Sequence, residues 1–323
     1  MVSEVAFGAW AIGGWWWGPS DDEAALAALA ACPEHGCHTI DTAPVYGFGH
    51  SEELVGRAIA GRREEYVLLS KCGLRWDSEE GEPFFESADA AGRKRRVFRN
   101  LRPDSIRLEC ERSLQRLGVD AIDLYQLHWP DPTTPVEDSL GACAELVAEG
   151  KVRAVGVSNF DPALLERARA ALAPLPLAVL QSRYSLVFRE EERSGLPWVR
   201  EAGVGFLAYS PLAQGLLSGK VGPERRFPAG DERSGRPEFA PANRARIAAA
   251  LESAILPAAR AHDATPAQIA LAWTAAQDGV SCVLAGARDA RQVAENAQAG
   301  SLQLTRDQVD SIDRAFQELG LEL

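Results

Sequence analysis

The chain has 323 residues, 46% of them hydrophobic, enough to bury one large core. Its net charge is −12 and its pI near 5.0, which argues against nucleic acid or an anionic membrane as the main partner, since both select basic patches. The N-terminus, MVSEVAFGAW, lacks the basic start and cleavable apolar core of a signal peptide, and no apolar run reaches the roughly 18 residues of a membrane span, so a cytoplasmic protein is expected.

A first strand is predicted over 5–12, followed by a loop holding Trp15, Trp16 and Trp17. Three adjacent tryptophans cannot all face a core, so some are expected to line a cleft. Ser20-Asp21-Asp22-Glu23 reads as a capping box opening a helix that ends near Gly36. Strand 37–40 leads into IDTAPVYGFGHS, with Ser51 or His50 near the cap of helix 51–60. Strand 66–70 ends at Lys71. Residues 74–100 have no clear period and carry Trp76, Phe84, Phe85 and a basic patch at 93–96, so a lid or a disordered flap is expected.

Helix 103–117 has Pro103 at its start. Strand 121–127 ends at His128, and helix 136–148 follows. Strand 152–157 ends at Ser158-Asn159, and helix 162–172 follows. Strand 177–180 ends at Gln181, and a helix is expected over 190–201. Strand 205–208 ends at Tyr209-Ser210. The Gly-, Pro- and charge-rich stretch 211–241 is a second candidate flap. Helices 242–262 and 265–276, strand 280–284 and two closing helices, 290–298 and 305–319, complete the chain. The six cysteines show no Cys-x-x-Cys pair and no zinc spacing, so buried reduced thiols and no metal are expected.

About eight strands, mostly followed by helices, predict an α/β protein, a (β/α)8 TIM barrel with two extra C-terminal helices, as one domain over 1–323. A doubly wound sheet competes, but the glycine-rich phosphate loop it uses after its first strand is missing. Polar residues recur at the predicted strand ends: Asp41, Lys71, His128, Ser158, Asn159, Gln181, Tyr209, Ser210 and Gly286. In a barrel these ends share one rim, which gathers distant residues into one site. Taken singly, each has a plainer reading: a solvated Lys, a hydrogen-bonded structural His, a Ser-Asn helix cap, a half-buried Tyr in a capped turn.

The motifs GAWAIGG, IDTAPVYGFGHSEELVG, SKCG, DAIDLYQLHWPDPTTPVEDS, GKVRAVGVSNF, AYSPLAQGLLSGK and LAGARDARQVAEN cover nearly the whole chain. Together they resemble the aldo-keto reductase superfamily, most closely its bacterial branch of general-stress and inositol-catabolism-type NADP-dependent reductases. The resemblance implies a catalytic tetrad of Asp41, Tyr46, Lys71 and His128, all present. Tyr46 would protonate the oxygen of a carbonyl that receives a hydride. A nearby Lys71 cation would lower the pKa of the phenol, Asp41 would hold Lys71, and neutral His128 would orient the carbonyl.

The resemblance also implies NADP(H) as cofactor. Trp10 and Asp41 would contact the cofactor, Tyr209 would stack on the nicotinamide, and Ser158, Asn159 and Gln181 would hold its carboxamide. Ser210, Pro211, Leu212, Ala213, Gln214 and Lys220 would wrap the pyrophosphate. Gly286, Arg288, Gln292, Glu295 and Asn296 would hold the adenosine end, with Arg288 on the 2′-phosphate. The plainer reading of Arg288 is a surface pair with Asp289.

Two departures from the family pattern stand out. The family's first hairpin strand, which plugs the lower end of the barrel, does not precede Met1-Val2-Ser3, so either a late start site or an incomplete plug is expected, and no long C-terminal substrate loop is expected after the last helix. An open pocket is therefore expected, shaped by Trp15, Trp16, Trp17, Trp76, Phe85 and Trp129. The expected partner is a small carbonyl or alcohol substrate, with neither nucleic acid nor membrane. A nucleotide-sensing regulatory subunit of the same fold, and a sugar or polyol dehydrogenase working oxidatively, remain as alternatives.

Overall fold

The computed structural model describes residues 2–14, 21–89, 91–227, 231–317 and 319–322. Eight parallel strands close into a barrel: β1 (Val5–Gly8), β2 (Thr39–Asp41), β3 (Val67–Cys72), β7 (Leu124–Leu127), β8 (Val155–Ser158), β9 (Leu177–Arg183), β10 (Gly205–Tyr209) and β11 (Val280–Gly286). Around the ring they run β1-β11-β10-β9-β8-β7-β3-β2, and β1 pairs with β2 to close it. Sequential neighbours joined by covering helices are what parallel pairing requires.

Strand alternation builds the site. Ala6, Leu69, Leu124, Val179, Leu207, Cys282 and Leu284 form one buried cluster inside the barrel. Two residues further along the same strands come Lys71, Gln126, Gln181 and Tyr209. A period of two returns them to the inner face, one layer nearer the carboxyl rim. The alternate residues of these strands, Leu68, Tyr125, Leu180, Phe206 and Ala208, turn outward into the larger core beneath the helices.

Most covering helices match expectation: α3 (Pro103–Leu117), α4 (Val136–Ala148), α5 (Pro162–Leu172) and α10 (Ala290–Gln298). α9 (Pro266–Ala275) and α11 (Arg306–Gln317) are slightly shorter than expected. The long helix at 242–262 is observed as α7 (Pro241–Ala250), a π turn (Leu251–Ile255) and α8 (Leu256–Ala261). Pro257 lacks the N–H of a regular turn, and a local widening accommodates it. α11 packs against this run. The helix expected over 190–201 is split into a short 3₁₀ turn, Glu190–Glu192, and α6 (Gly195–Ala202), with the Glu191 carboxylate accepting from Gly195 N–H at 3.1 Å.

Three other expectations change. The first strand stops at Gly8, because the chain then makes a 3₁₀ turn, Ala11–Gly13, against the backbone of Tyr46 and Gly47. A Cβ on Gly13 would lie 2.9 Å from the Tyr46 carbonyl carbon, so glycine is required there. α1 (Asp22–Ala31) is capped by Asp21, whose side chain accepts from Ala24 N–H; Ser20 and Trp15, Trp16 and Trp17 lie outside the described residues. Ser51 does not cap α2 (His50–Ile59): Gly49 does, at φ 106°. The buried Ser51 hydroxyl instead meets Ala9 O and Thr42 Oγ1, both at 2.9 Å, pinning the Tyr46 loop to the end of β1.

The stretch 74–100 is an ordered antiparallel sheet of β4 (Leu74–Arg75), β5 (Glu82–Ala88) and β6 (Lys94–Arg99), in the order β4-β6-β5. Its basic patch is largely neutralised: Arg93 and Arg95 pair with Asp89, and Arg96 with Glu79 and Glu86. All six cysteines are buried free thiols, and among the described residues no helix is long and apolar enough to cross a membrane.

The chain enters this sheet through Gly73, whose N–H donates to both carboxylate oxygens of the buried Glu109, at 3.0 and 3.2 Å. Burial, opposed by Arg75 and the bonds from Gly73 and Ser105 and helped by Asp77, pushes Glu109 up to about 7. Between the unfolded carboxyl pKa, about 4.3, and about 7, only the native state keeps this proton. Stability therefore falls as pH rises through that window. The melting temperature should drop by several degrees from pH about 5 to about 7.5, and Glu109→Gln should flatten that slope; an unchanged slope in the variant assigns the effect elsewhere.

Candidate active site

Lys71 is fully buried, and its Nζ donates to Asp41 Oδ2 at 2.6 Å, Thr42 O at 3.0 Å and Tyr46 Oη at 3.1 Å. Asp41 and Lys71 come from the adjacent strands β2 and β3, while Tyr46 comes from the loop that Gly13 and Ser51 hold down. The His128 ring stands edge-on to the Tyr46 ring, with centroids 5.8 Å apart, and Trp10 lies on another side at 6.4 Å. The four predicted tetrad residues thus meet in one place.

Their electrostatics differ in one respect from the sequence-based expectation. Burial, and then the Asp41 charge, hold the Tyr46 phenol well above its usual pKa, where a lowering by Lys71 was expected. Lys71 is itself lowered by burial, against the pull of Asp41 and Glu52, so the low-dielectric setting outweighs the cation. Tyr46 is therefore protonated at neutral pH. Burial, and then the Lys71 charge, push His128 well below its usual range, so its ring is neutral.

Asp41 Oδ1 accepts from Gln181 Nε2 at 2.9 Å and from Gln126 Nε2 at 3.3 Å. Gln126 was missed in the sequence, although a lone polar residue two positions after the inward Leu124 is a usable signal. Asn159, in the left-handed region at φ 62°, donates to His128 O at 3.1 Å and to Ser158 Oγ at 2.9 Å, and accepts from Tyr209 Oη at 2.9 Å. One amide therefore ties β8, the His128 segment and β10 together.

A cleft of about 550 Å³ opens on this rim, lined by Trp10, Trp129, Asn159, Tyr209, Ser210 and Gln214 among others. That size suits a small ligand, within the usual range of about 300–1,000 Å³. Trp76, Phe84 and Phe85 of the flap pack with Phe48, Trp129 and Tyr46 against a small core of Ala43, Val45, Leu74 and Val97. Trp129 meets Phe84 at 5.4 Å, and Trp76 meets Phe48 at 5.5 Å.

The stretch after β10 has an unusual backbone. Ser210, Ala213 and Gln214 all have positive φ, at 55°, 45° and 54°, and Gly215 follows at 99°. The Gln214 Oε1 atom is buried with no partner among the described residues. Pro211 is buried, Leu212 is half-buried and Lys220 is exposed. Further along, Arg233 is held by Asp231 at 2.6 and 2.9 Å and reaches Gln214 O at 3.4 Å. The second flap is thereby tied down, and Arg244 of α7 holds it again through Gly222 O and Arg225 O.

Arg288 stands beside Arg233 and Asp231, while Asp289 caps α10 through Gln292 N–H. Partial desolvation and the neighbouring Arg233 lower the Arg288 pKa, against Asp231. The Asp231 carboxylate, which holds Arg233, is the anion that counters both. Arg233 was not identified from the sequence, because nothing in a charge-rich loop marks one arginine as facing another. Gln292 accepts from Arg288 N–H, Asn296 donates to Gly286 O at 3.1 Å, and Glu295 accepts from Thr265.

The buried Lys71 cation thus touches a protonated phenol on the rim where the cleft opens. Residues 4–317 match the aldo/keto reductase family. The chain belongs to that family and is an oxidoreductase acting on carbonyl and alcohol groups. It is 36% identical to the aldo-keto reductase YhdN of Bacillus subtilis over 90% of this chain and 83% of the relative. It is 36% identical to the NADH-specific methylglyoxal reductase of Escherichia coli over 94% of this chain and 91% of that one. Among solved structures, the glycerol dehydrogenase of Gluconobacter oxydans is 38% identical with a TM-score of 0.86, covering 97% and 91% of the two chains.

Proposed function

We propose that this chain is a cytoplasmic, single-domain, NADP(H)-dependent reductase of the bacterial general-stress and inositol-catabolism type. It interconverts a small aldehyde or ketone and the alcohol. The observation that carries this reading is Lys71 Nζ, 3.1 Å from Tyr46 Oη and 2.6 Å from Asp41. The reduced nicotinamide, when bound, supplies the hydride. Tyr46 gives its proton to the carbonyl oxygen as negative charge develops there. Lys71 stabilises the phenolate that remains, and Asp41 keeps Lys71 charged and in place. Neutral His128 and Tyr46 together set the position of the carbonyl oxygen, and the aromatic flap keeps water away.

The same residues fit the cofactor. Tyr209 lines the cleft, Ser158, Asn159 and Gln181 offer polar groups beside it, and the backbone of the positive-φ stretch suits the phosphates. Arg288 and Arg233 suit a 2′-phosphate, and this pair favours NADPH although one relative is named for NADH. A panel of aldehydes and ketones with NADPH depletion as readout tests the proposal. Turnover is expected; tight NADPH binding with no turnover on any carbonyl returns the regulatory-subunit reading. The likeness to a glycerol dehydrogenase gives the oxidative reading a specific basis, and glycerol with NADP⁺ belongs in the same panel.

Arg288→Ala should weaken NADPH by roughly 10–100-fold and leave NADH nearly unchanged, since only the phosphate distinguishes them and a charged hydrogen bond contributes about 1.5–3 kcal/mol. Fluorescence titration of both cofactors decides it. Equal losses mean that Arg288 positions the loop and does not read the phosphate.

A further inference from the structure

Asp41 sits at the centre of a fully specified hydrogen-bond ring. Its Oδ2 is taken by Lys71 at 2.6 Å. Its Oδ1 faces two glutamine side chains, Gln126 and Gln181, both buried. A carboxylate has no proton to give, so each glutamine must turn its nitrogen toward it. Gln181 Nε2 does so at 2.9 Å and Gln126 Nε2 at 3.3 Å. The second N–H of Gln181 then goes to Gln126 Oε1, at 3.1 Å. Both protons of the Gln181 amide are spent, and among the described residues nothing donates to its Oε1.

We propose that Gln126 is a positioning residue that locks the Gln181 amide, so that a bound cofactor meets an oxygen there and not an NH₂ group. A flipped Gln181 would set its own oxygen against the Asp41 carboxylate and against Gln126 Oε1, two repulsive contacts in place of two bonds. With Gln126 present, the site therefore offers an acceptor, and an acceptor selects the NH₂ of a primary carboxamide. This inference rests on the reading of Gln181 as a contact of the nicotinamide carboxamide. It adds the part that makes the contact chemically selective, and it links that contact to the carboxylate that holds Lys71.

The test compares NADP⁺ with its 3-acetylpyridine analogue in alcohol oxidation. A methyl ketone replaces the carboxamide in the analogue, so nothing there can donate to Gln181. The readout is the ratio of kcat/KM for the two cofactors, which cancels general losses of activity. Gln126→Met keeps the length and removes both polar atoms; the ratio should fall by about tenfold, with the loss on NADP⁺. Gln126→Glu keeps an oxygen toward Gln181 and should keep the wild-type ratio, even as its charge beside Asp41 lowers both rates.

A wild-type ratio in folded Gln126→Met overturns the inference, and so does a lost ratio in Gln126→Glu, which decides the matter if the Met variant does not fold. Gln181→Leu separates the two levels. If it lowers the ratio and Gln126→Met does not, the positioning role alone fails. If it leaves the ratio unchanged, Gln181 does not touch the carboxamide, and the inference falls with that reading.

Discussion

Tyr46→Phe is expected to cut carbonyl reduction by at least about 10²-fold, the scale of a lost general acid, with NADPH affinity nearly unchanged. Lys71 Nζ donates to the phenol oxygen, and the His128 ring stands edge-on to the Tyr46 ring. Burial and the Asp41 charge keep the phenol protonated, and removing one oxygen removes that proton. The ring itself remains, so the packing against Trp10 and His128 should survive. Single-turnover rates on a reactive aldehyde, with parallel cofactor titration, give both numbers. A variant within about tenfold of wild type would mean that another group protonates the oxygen.

Lys71→Met should be as damaging to the rate, and it carries a pH signature. Alcohol oxidation needs Tyr46 as phenolate. Without the Lys71 cation, the phenolate faces Asp41 alone, and like charge disfavours it. The phenol pKa rises further, so the rising limb of the oxidation pH profile should move to higher pH. The substitution also strands the Asp41 charge. Breaking one side of a buried pair costs about 3–5 kcal/mol, which the two glutamine donors on Oδ1 soften. Asp41→Asn added to Lys71→Met should recover much of the melting temperature and none of the rate. Recovery of both would make Lys71 a structural cation; an unmoved pH profile with a normal rate would separate it from Tyr46.

The order of elements was legible because the local rules agree with the fold. Pro103 opens α3 and Gly118 ends it, and Pro162 opens α5 behind an Asp161 cap, so their limits need no tertiary information. The flap at 74–100 was not legible as a sheet. β5 and β6 are partly exposed strands with mixed alternation, and their pairing depends on Gly81 and Gly92 turning the chain and on charge pairs formed only across the sheet. Ser51 showed the same limit: its type and place suggested a helix cap, but the chain before it returned to β1 and gave its hydroxyl nearer partners.

By itself the sequence determined which residues stand at the barrel rim. Apolar strands ending in Asp41, Lys71, His128, Asn159, Gln181 and Tyr209 can be read one after another, because strand periodicity is local. Only the tertiary structure decided how these residues act on one another. It buried Lys71 between Asp41 and Tyr46, turned Gln126 and Gln181 onto one carboxylate oxygen, and set Arg233 beside Arg288 across more than fifty residues of chain. It also reversed the expected direction of the Tyr46 shift. The reason is that charge interactions depend on distance and on how much water is excluded, and both are set where segments remote in sequence pack together.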